Sequence, residues 1–325
     1  MSRPSAFAPV AITTRNGVAE SVHFGAIAAL NSDGSLAFAT GDPSVTVYPR
    51  SSNKPLQAVA MVRAGLVLPP RLLALVCASH DGTDAHLGAA RDILVSAGLA
   101  EDALRNTPDF PLDQQAAEEL LRRGGTRTSL QMNCSGKHSG MLACCVVNGW
   151  PLATYLDPGH PLQLMINDEF PLLTGEPLGE LGVDGCGAPA HVMSLVGLAR
   201  SFRNIAIGEA GRAGEQVFAA MTKHPEMVGG NRRDVTRLMR SIPGLMAKDG
   251  AEGVFAAALP DGRAVAIKIA DGASRARPPV MVAALAALGV DVSIAAPLVR
   301  ELILGGGREV GQVTSIAIFD GPTHG

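Results

Sequence analysis

Short apolar runs separated by turn residues occupy both ends of the chain, with the length and spacing of β-strands. Asp33 and Gly34 lie between two of these runs, and an Asp-Gly pair in that place is typical of a β-hairpin. A Pro260-Asp261-Gly262 turn separates two later runs in the same way. The pattern predicts strands at residues 10–13, 26–30, 36–39, 254–259, 264–269 and 313–319.

Helical spacing dominates the middle of the chain, from about residue 55 to residue 246. Two further helices are predicted near the end, at residues 279–289 and 297–304. Strands at both chain ends are best satisfied in one antiparallel sheet against which the helices pack. The sequence therefore predicts an α+β fold with an antiparallel sheet built from both chain ends and a mainly helical middle. Apolar residues recur at three- and four-residue steps at Leu112, Ala116, Leu120 and Leu121, and at Val192, Leu195, Leu198, Ala199 and Phe202.

Composition narrows the class of protein. The chain is 47% apolar, which is enough for a sizeable core, and no repeat or low-complexity linker divides it, so residues 1–325 are predicted to form a single domain of one or two lobes. Only 18% of residues are charged and the net charge is −3, so a nucleic-acid partner is not expected. The longest uncharged apolar stretch, residues 278–290, is too short to span a bilayer, and residues 1–17 lack a signal-peptide pattern. The expected location is the cytoplasm, without membrane association.

The first candidate for chemistry is the pair Ser51 and Lys54, at the start of an apolar helical run. A separation of three residues places both side chains on one face of a helical turn, where a lysine can deprotonate a serine. The alternative is a helix-capping serine beside a solvated lysine. A second candidate, Ser79 with His80, follows a buried apolar run, although Ser79 could instead cap the next helix.

The densest group of reactive side chains lies between residues 133 and 140 and includes Cys134, Lys137 and His138. Five unevenly spaced cysteines make a poor disulfide framework, so metal binding, catalysis or packing are the alternatives. Cys134 and Cys186 form a pair of sulfur ligands suited to zinc, with His138 or a deprotonated Lys137 as a third ligand. Lys248, just before a predicted strand, is a further candidate, in competition with Lys268 and with a solvated turn lysine.

Six motifs, taken together in chain order, resemble the bacterial L-asparaginase II family of the Rhizobium etli inducible type, the class 3 asparaginases. The resemblance runs from about residue 10 to residue 313. The motifs are Arg50-Ser51-x-x-Lys54-Pro55, Cys77-Ala78-Ser79-His80, Asn133-Cys134-Ser135-Gly136-Lys137-His138, Asp184-Gly185-Cys186, His224-Pro225-Glu226-Met227-Val228 and Lys248-x-Gly250-Ala251.

The resemblance implies a fold similar to serine β-lactamases, penicillin-binding proteins and glutaminases, and a homodimer. It also implies hydrolysis of L-asparagine to L-aspartate and ammonia by serine chemistry, through a covalent β-aspartyl-enzyme. The implied residues are two pairs, Ser51 with Lys54 and Ser79 with Lys248, a Zn²⁺ ion held by Cys134, Lys137 and Cys186, and substrate contacts at Arg50, His80, His138 and Asp184. Ser51 is the expected nucleophile, with Ser79 as the other possibility.

Three other functions compete with this interpretation. A glutaminase or another amide hydrolase on the same scaffold differs by one methylene in its substrate. A hydrolase that uses Cys134 as nucleophile with His138 is a second. A non-catalytic zinc-stabilised binding protein would be expected to lack a member of the serine-lysine pairs, and all four are present.

Overall fold

The computed structural model describes residues 6–319; residues 1–5, where the segment searched for a signal peptide begins, and residues 320–325 lie outside the described residues. The strands are β1 (Ala8–Arg15), β2 (Val18–Leu30), β3 (Leu36–Thr40), β4 (Thr46–Val47), β5 (Leu181–Val183), β6 (Pro189–His191), β7 (Met193–Ser194), β8 (Met246–Asp249), β9 (Val254–Ala258), β10 (Ala264–Ile269), β11 (Glu301–Gly305) and β12 (Arg308–Ser315). The helices are α1 (Lys54–Arg63), α2 (Pro70–Val76), α3 (Asp84–Ser96), α4 (Gln114–Arg122), α5 (Ser135–Asn148), α6 (Pro161–Thr174), α7 (Leu195–Ala206), α8 (Gly211–Lys223), α9 (Pro225–Gly229), α10 (Asp234–Ser241), α11 (Arg277–Ala287) and α12 (Ala295–Leu298).

The chain divides into two compact units, each assembled from separate stretches of sequence. The first, here called the sheet unit, comprises Met1–Ser52, Met193–Ile207 and Arg237–Gly325. The second, the helical unit, comprises Asn53–Val192 and Gly208–Thr236. That residues 1–325 form a single domain stays a prediction.

The sheet unit is built on one antiparallel sheet with strand order β11-β12-β1-β2-β10-β9-β8, in which β3 also pairs with β2. The two ends of the chain meet in it, because Ala11 of β1 lies opposite Ser315 of β12 and Ile27 of β2 lies opposite Ile267 of β10. Helices α7 and α11 pack against this sheet. The α+β fold and the sheet made from both chain ends are therefore confirmed.

The central strands are buried because their apolar runs are continuous instead of alternating. Residues 26–30 of β2 are at most 1% exposed, and β9 is buried along its whole length. The predicted hairpin at Asp33 and Gly34 is present between β2 and β3, with Gly34 at a φ of +87° and its N–H donating to the Asn31 carbonyl. This positive φ is readily available to glycine, so its position is explained by the turn.

Two predictions near the C-terminus were wrong. Residues 297–304 were expected to be helical, but the helix ends at Leu298 and residues 301–305 form β11, paired with β12. The side chains of β11 alternate between half-buried and exposed, a period of two that defines a strand. The joining turn uses Gly306 and Gly307, both at positive φ. The predicted strand at residues 313–319 is also displaced, since β12 ends at Ser315.

The helical unit confirms the predicted helical middle. Helix α1 packs on α5, α6 and α8, while α2 packs on α3, α5, α8 and α9. Two glycines on one face of α5 allow a close approach to α2: a Cβ on Gly136 would lie 2.5 Å from the Leu75 carbonyl oxygen, and one on Gly140 would lie 2.7 Å from a Val76 methyl. The short strands β5 and β6 form a hairpin in this unit. Within residues 6–319, the helices all fall short of the length and apolar character that crossing a membrane requires.

Candidate active site

Lys54 is the first residue of α1 and is almost fully buried in the helical unit, with 1% exposure. One short helical turn, Arg50–Asn53, precedes it, and Pro55 is accommodated because the first helical turn needs no backbone N–H from that position. The Lys54 Nζ donates to the Ala78 carbonyl at 2.6 Å and lies 3.2 Å from the Ser79 Oγ. The structure therefore places a buried amine within hydrogen-bond distance of a serine hydroxyl.

The segment that carries Ser79 is fixed by its backbone. The Ser79 N–H donates to the Val228 carbonyl at 3.1 Å, and the His80 N–H donates to the Asn133 carbonyl at 3.0 Å. The Arg233 guanidinium donates to the Ser79 carbonyl at 2.7 Å. Ser79 is only 5% exposed, and these bonds hold its backbone in place from other parts of the unit.

The sulfur groups lie beside the same amine. The Lys54 Nζ is 3.1 Å from the Cys134 Sγ, and the Lys137 Nζ is 3.3 Å from the Cys186 Sγ. Cys186 reaches this position at the turn between β5 and β6, which the Asp184 carbonyl closes by accepting from the Gly187 N–H at 2.8 Å. Cys134 and Lys137 come from the start of α5, so residues about 50 positions apart meet in one buried cluster.

The electrostatics of this cluster favour an ionised Cys186. A hydrogen bond between the two thiols, together with burial, raises the pKa of Cys134 well above its ordinary value. The same bond lowers the pKa of Cys186 well below its ordinary value against the effect of burial, assisted by the positive charge of Lys137. Burial alone would lower the pKa of Lys137, but the negative charge on the Cys186 sulfur outweighs it and raises that pKa.

The donor set fits a metal that accepts sulfur and nitrogen. Two sulfurs and one amine lie together with exposures of 4% or less, and His138 is in contact with Cys186. Within the described residues, groups of three or more His, Cys, Asp or Glu suited to a metal ion are absent, and this set has only two cysteines with a lysine as the third donor. A borderline metal such as zinc is compatible with thiolate ligands.

The histidines singled out in the sequence are both buried. The His138 Nδ1 is 2.8 Å from the Tyr155 hydroxyl, and burial lowers the pKa of His138 to about 4. The His80 Nε2 is 2.8 Å from the Ser135 Oγ, and burial lowers the pKa of His80 as well. Both rings are therefore neutral at neutral pH. Their predicted contact with substrate stays a prediction, as does that of Asp184, which caps its own turn by accepting from the Gly185 N–H at 2.8 Å.

Ser51 and Lys248 lie in the sheet unit, where residues 50–52 lie beside the end of β8. The Ser52 hydroxyl donates to the Lys248 carbonyl at 3.0 Å. Gly250 permits this approach, since a Cβ there would lie 2.6 Å from the Pro49 carbonyl oxygen. Ser51 is half-buried in the same segment.

The Lys248 amine is completely buried in an ionic network. Its Nζ donates to an Asp249 carboxylate oxygen at 2.7 Å, and the other carboxylate oxygen is 3.5 Å from an Arg277 nitrogen. Lys268 of β10, the alternative to Lys248 as a candidate site residue, donates to the Glu252 carbonyl. Arg50 lies nearby, 3.9 Å from the Glu252 carboxylate, and both residues of this pair have a positive φ, of 51° and 58°.

The structure thus places the Lys54 amine in contact with the Ser79 hydroxyl, whereas the resemblance pairs Lys54 with Ser51. Sequence reasoning missed the residues that hold the candidate groups in place. Asp249 could have been noticed as the neighbour of Lys248, but Tyr155, Arg233 and Arg277 carry no local signal, because their partners are distant in sequence.

Comparison with known proteins gives one family. The family model described as L-asparaginase II matches residues 11–315 of the chain. A search of curated proteins finds no match.

Several solved structures share parts of the fold at low identity. One described as a probable glutaminase is 15% identical, with 82% of this chain and 86% of that chain covered and a TM-score of 0.47. A β-lactamase from Mycobacterium bovis is 14% identical over 81% of this chain and 94% of that chain, with a TM-score of 0.37. EstCE1, described as a hydrolase with promiscuous acyltransferase activity, is 12% identical over 86% of this chain and 92% of that chain, with a TM-score of 0.41. Likenesses this distant carry no argument about function.

Proposed function

Because the chain belongs to the L-asparaginase II family, we propose that it hydrolyses the side-chain amide of L-asparagine to L-aspartate and ammonia. Family membership makes the chain an amidohydrolase with a small-molecule substrate, as predicted from its motifs. The choice of asparagine and the serine-lysine mechanism are proposals. One observation supports the mechanism most directly: the 3.2 Å distance between the Lys54 Nζ and the Ser79 Oγ in a buried setting.

The reaction proceeds in two steps. Lys54 takes the Ser79 hydroxyl proton as the oxygen attacks the amide carbon, the carbon–nitrogen bond breaks, and the amine proton of Lys54 passes to the leaving ammonia. A β-aspartyl ester on the serine results. Water then attacks the ester, giving up a proton to Lys54, and L-aspartate leaves as the serine oxygen regains that proton.

Ser51 is the competing nucleophile. The sequence favours it, because Ser51 and Lys54 have the Ser-x-x-Lys spacing, and the resemblance pairs Ser79 with Lys248. The observed hydrogen bond to Lys54 favours Ser79 as the partner of that lysine. The two assignments differ in one measurable respect, which is the serine that carries the ester.

The test measures ammonia release from L-asparagine and from L-glutamine by the parent protein and three variants. Ser79→Ala is expected to lose at least about 10³-fold in turnover, as removal of a nucleophile does. Ser201→Ala is the matched control, since Ser201 is a fully buried serine of α7 that donates to the Leu198 carbonyl. Ser51→Ala is expected to retain turnover.

Acid quenching of the parent during turnover, followed by peptide mapping, locates the ester directly. An aspartyl group on the peptide containing Ser51 would reject the assignment to Ser79 and leave the asparaginase proposal intact. Glutamine turnover in excess of asparagine turnover would replace the proposed substrate by glutamine. An inactive parent protein on both amides would remove the proposed function altogether.

We propose further that Cys134, Lys137 and Cys186 hold Zn²⁺, with His138 beside them. The 3.3 Å contact between the Lys137 amine and the Cys186 sulfur, with Cys134 beside Cys186, supports this, because it gathers three buried donor atoms of kinds that zinc accepts. When bound, zinc would act as a Lewis acid that offsets the negative charge of the thiolates. By holding these residues together, it would also shape the substrate pocket. The residues of this cluster orient the start of α5, from which Cys134 contacts the Lys54 amine.

Zinc content distinguishes a metal site from cysteine and lysine side chains that pack together without a metal. Cys186→Ala is expected to lose the stoichiometric zinc of the purified parent, as measured by atomic emission. Cys145→Ala is the matched control, since Cys145 is a buried free thiol of α5 outside the cluster. Undiminished zinc in Cys186→Ala, or a parent protein that binds none from buffered zinc, would contradict the assignment. The homodimer that the resemblance implies is tested by sedimentation of the same samples.

A further inference from the structure

A cavity of about 310 Å³ lies in the helical unit, apart from the residues discussed above. Met165, Asp168, Glu169 and Leu172 form one wall of it, at the i, i+3, i+4 and i+7 positions that share a face of α6. The end of α1 at Arg63 forms another wall. Lys54 begins the same helix, so the α1 residues that line the cavity, Ala60 and Arg63, are about 9 and 14 Å along the helix axis from the Lys54 position.

Glu169 is an unusual wall residue because it is a buried carboxylate, 4% exposed. Its Oε2 lies 3.1 Å from an Arg63 nitrogen. Its Oε1 is buried as well, and among the described residues no group hydrogen-bonds to it. Burial raises the pKa of Glu169, and Arg63 opposes that shift. A buried carboxylate with one unpaired acceptor is costly, so positive charge at this wall of the cavity is favoured.

The other charges around the cavity also favour a cation. Asp168 adds a second carboxylate, and α1 and α5 both end at the cavity, where their last carbonyl groups carry partial negative charge. The positive side chain, Arg63, already donates to the Ala210 carbonyl at 2.8 Å in addition to Glu169.

The remaining walls favour an organic ion over a hydrated inorganic one. Met165, Leu172 and Ala60 supply hydrocarbon, and Trp150 supplies an aromatic ring, whose face attracts organic cations. The volume lies at the lower end of the range for small-molecule sites, so the ligand is small.

We propose that this cavity binds a small organic ammonium ion, whose positive charge lies against the Glu169 and Asp168 carboxylates while its hydrocarbon part packs against Met165, Leu172 and Trp150. This site is separate from the proposed amide hydrolysis and does not depend on it.

Trp150 is the single tryptophan of the chain, so its fluorescence reports on the cavity wall. The probe is benzylammonium chloride, excited where the probe does not absorb, at constant ionic strength. Benzyl alcohol is the control ligand because it has nearly the same shape without the charge. A saturable change in the fluorescence with benzylammonium, at concentrations at least about tenfold below those needed with benzyl alcohol, is expected.

Two variants identify the group that binds. Glu169→Gln keeps the size of the side chain and is expected to weaken benzylammonium binding about tenfold or more. Glu119→Gln is the matched control, on the exposed surface of α4, and should leave binding unchanged. Asp168→Asn, at an exposed position where folding is not in question, should weaken binding to a lesser extent.

Three outcomes overturn the proposal: no saturable change with benzylammonium, equal responses to the ammonium and the alcohol, or unaltered affinity in Glu169→Gln. If Glu169→Gln fails to fold by circular dichroism, the comparison of the two ligands on the parent protein and the Asp168→Asn result still decide the question.

Discussion

At the scale of single residues, one amine connects the two kinds of chemistry in the helical unit. The Lys54 Nζ lies within 3.2 Å of the Ala78 carbonyl, the Ser79 hydroxyl and the Cys134 sulfur. A lysine held by three partners has little freedom to move, and this orders it for proton transfer to or from the serine. A change at Cys134 is therefore expected to reach the serine through this side chain.

Replacement of Lys54 by methionine tests its role as the base. Lys54→Met keeps the length of the side chain and is expected to lower kcat about 10²- to 10⁴-fold, the usual contribution of a general base. The measurement is steady-state ammonia release. Lys268→Met is the control, because Lys268 is half-buried and bonds to the Glu252 carbonyl. Equal losses in the two variants would show that the lysines act through stability instead of catalysis.

The residues of the candidate site were predictable from the sequence to an uneven degree. Cys134 and Lys137 stand together in a dense motif, so their proximity follows from one turn of helix. Cys186 was named from its chemistry and its resemblance, and the structure brings it to Lys137. The contact of Lys54 with Ser79 could not be predicted from spacing, because it depends on how α1 packs beside the segment after α2. The family itself is confirmed.

At the scale of elements, the close approach of α5 to α2 fixes the site. Gly136 follows Cys134 closely in sequence, and the Leu75 carbonyl occupies the space that a Cβ at Gly136 would need. A larger residue there would push the start of α5, and the cysteine with it, away from the end of α2 and the serine segment beyond it. Glycine at this position is thus required by packing in a helix that would otherwise favour alanine.

Gly136→Ala is accordingly expected to lower the free energy of unfolding by about 1–3 kcal/mol, the usual cost of overpacking. Gly88→Ala in α3 is the matched control, because a Cβ there meets nothing within 4 Å. It should raise the free energy of unfolding by about 0.5–1 kcal/mol through the better helix propensity of alanine. Urea denaturation measures both. A Gly136→Ala protein as stable as the parent would mean that the helices separate at no cost.

Helices and central strands were predictable where periodicity was strong. The run at residues 264–269 is β10 with its predicted bounds, and the spacing of Leu195, Leu198 and Phe202 is that of α7. The strand β11 was missed because the short apolar run Leu302-Ile303-Leu304 fits either structure, and pairing with β12 decides between them. The three consecutive glycines at positions 305–307 were the overlooked turn signal.

At the scale of the whole molecule, buried neutral histidines make stability depend on pH. His191 of β6 stacks on the Phe170 ring at 3.9 Å, and its Nε2 lies 2.8 Å from the Asn167 Oδ1. Burial, with a smaller effect from the charge of Lys137, lowers the pKa of His191 to about 4. Below the ordinary histidine pKa of about 6.5, His191 is protonated in the unfolded chain but stays neutral in the folded chain. The free energy of unfolding therefore falls as the pH decreases towards 4.

As the pH falls from 7 to 5, His191 alone is expected to lower the free energy of unfolding by about 2 kcal/mol. His191→Gln should remove that share of the pH dependence, as measured by urea denaturation at the two pH values. His224→Gln is the control, because His224 is a partly exposed residue beside Glu226. A variant with the same pH dependence as the parent would show that His191 takes up its proton without unfolding.

The pairing of β1 with β12 has a consequence for synthesis of the protein. Ala11 pairs with Ser315, about 300 residues later in the chain, and β2 pairs with β10, about 240 residues later. At a synthesis rate of about 5–20 residues per second, the N-terminal strands leave the ribosome roughly 10–50 seconds before β10 arrives. During that interval the outer edges of β1 to β3 present unpaired N–H and carbonyl groups together with the apolar side chains of residues 26–30. The nascent chain is thus expected to depend on chaperones until its last fifth emerges, and to aggregate when truncated before residue 264.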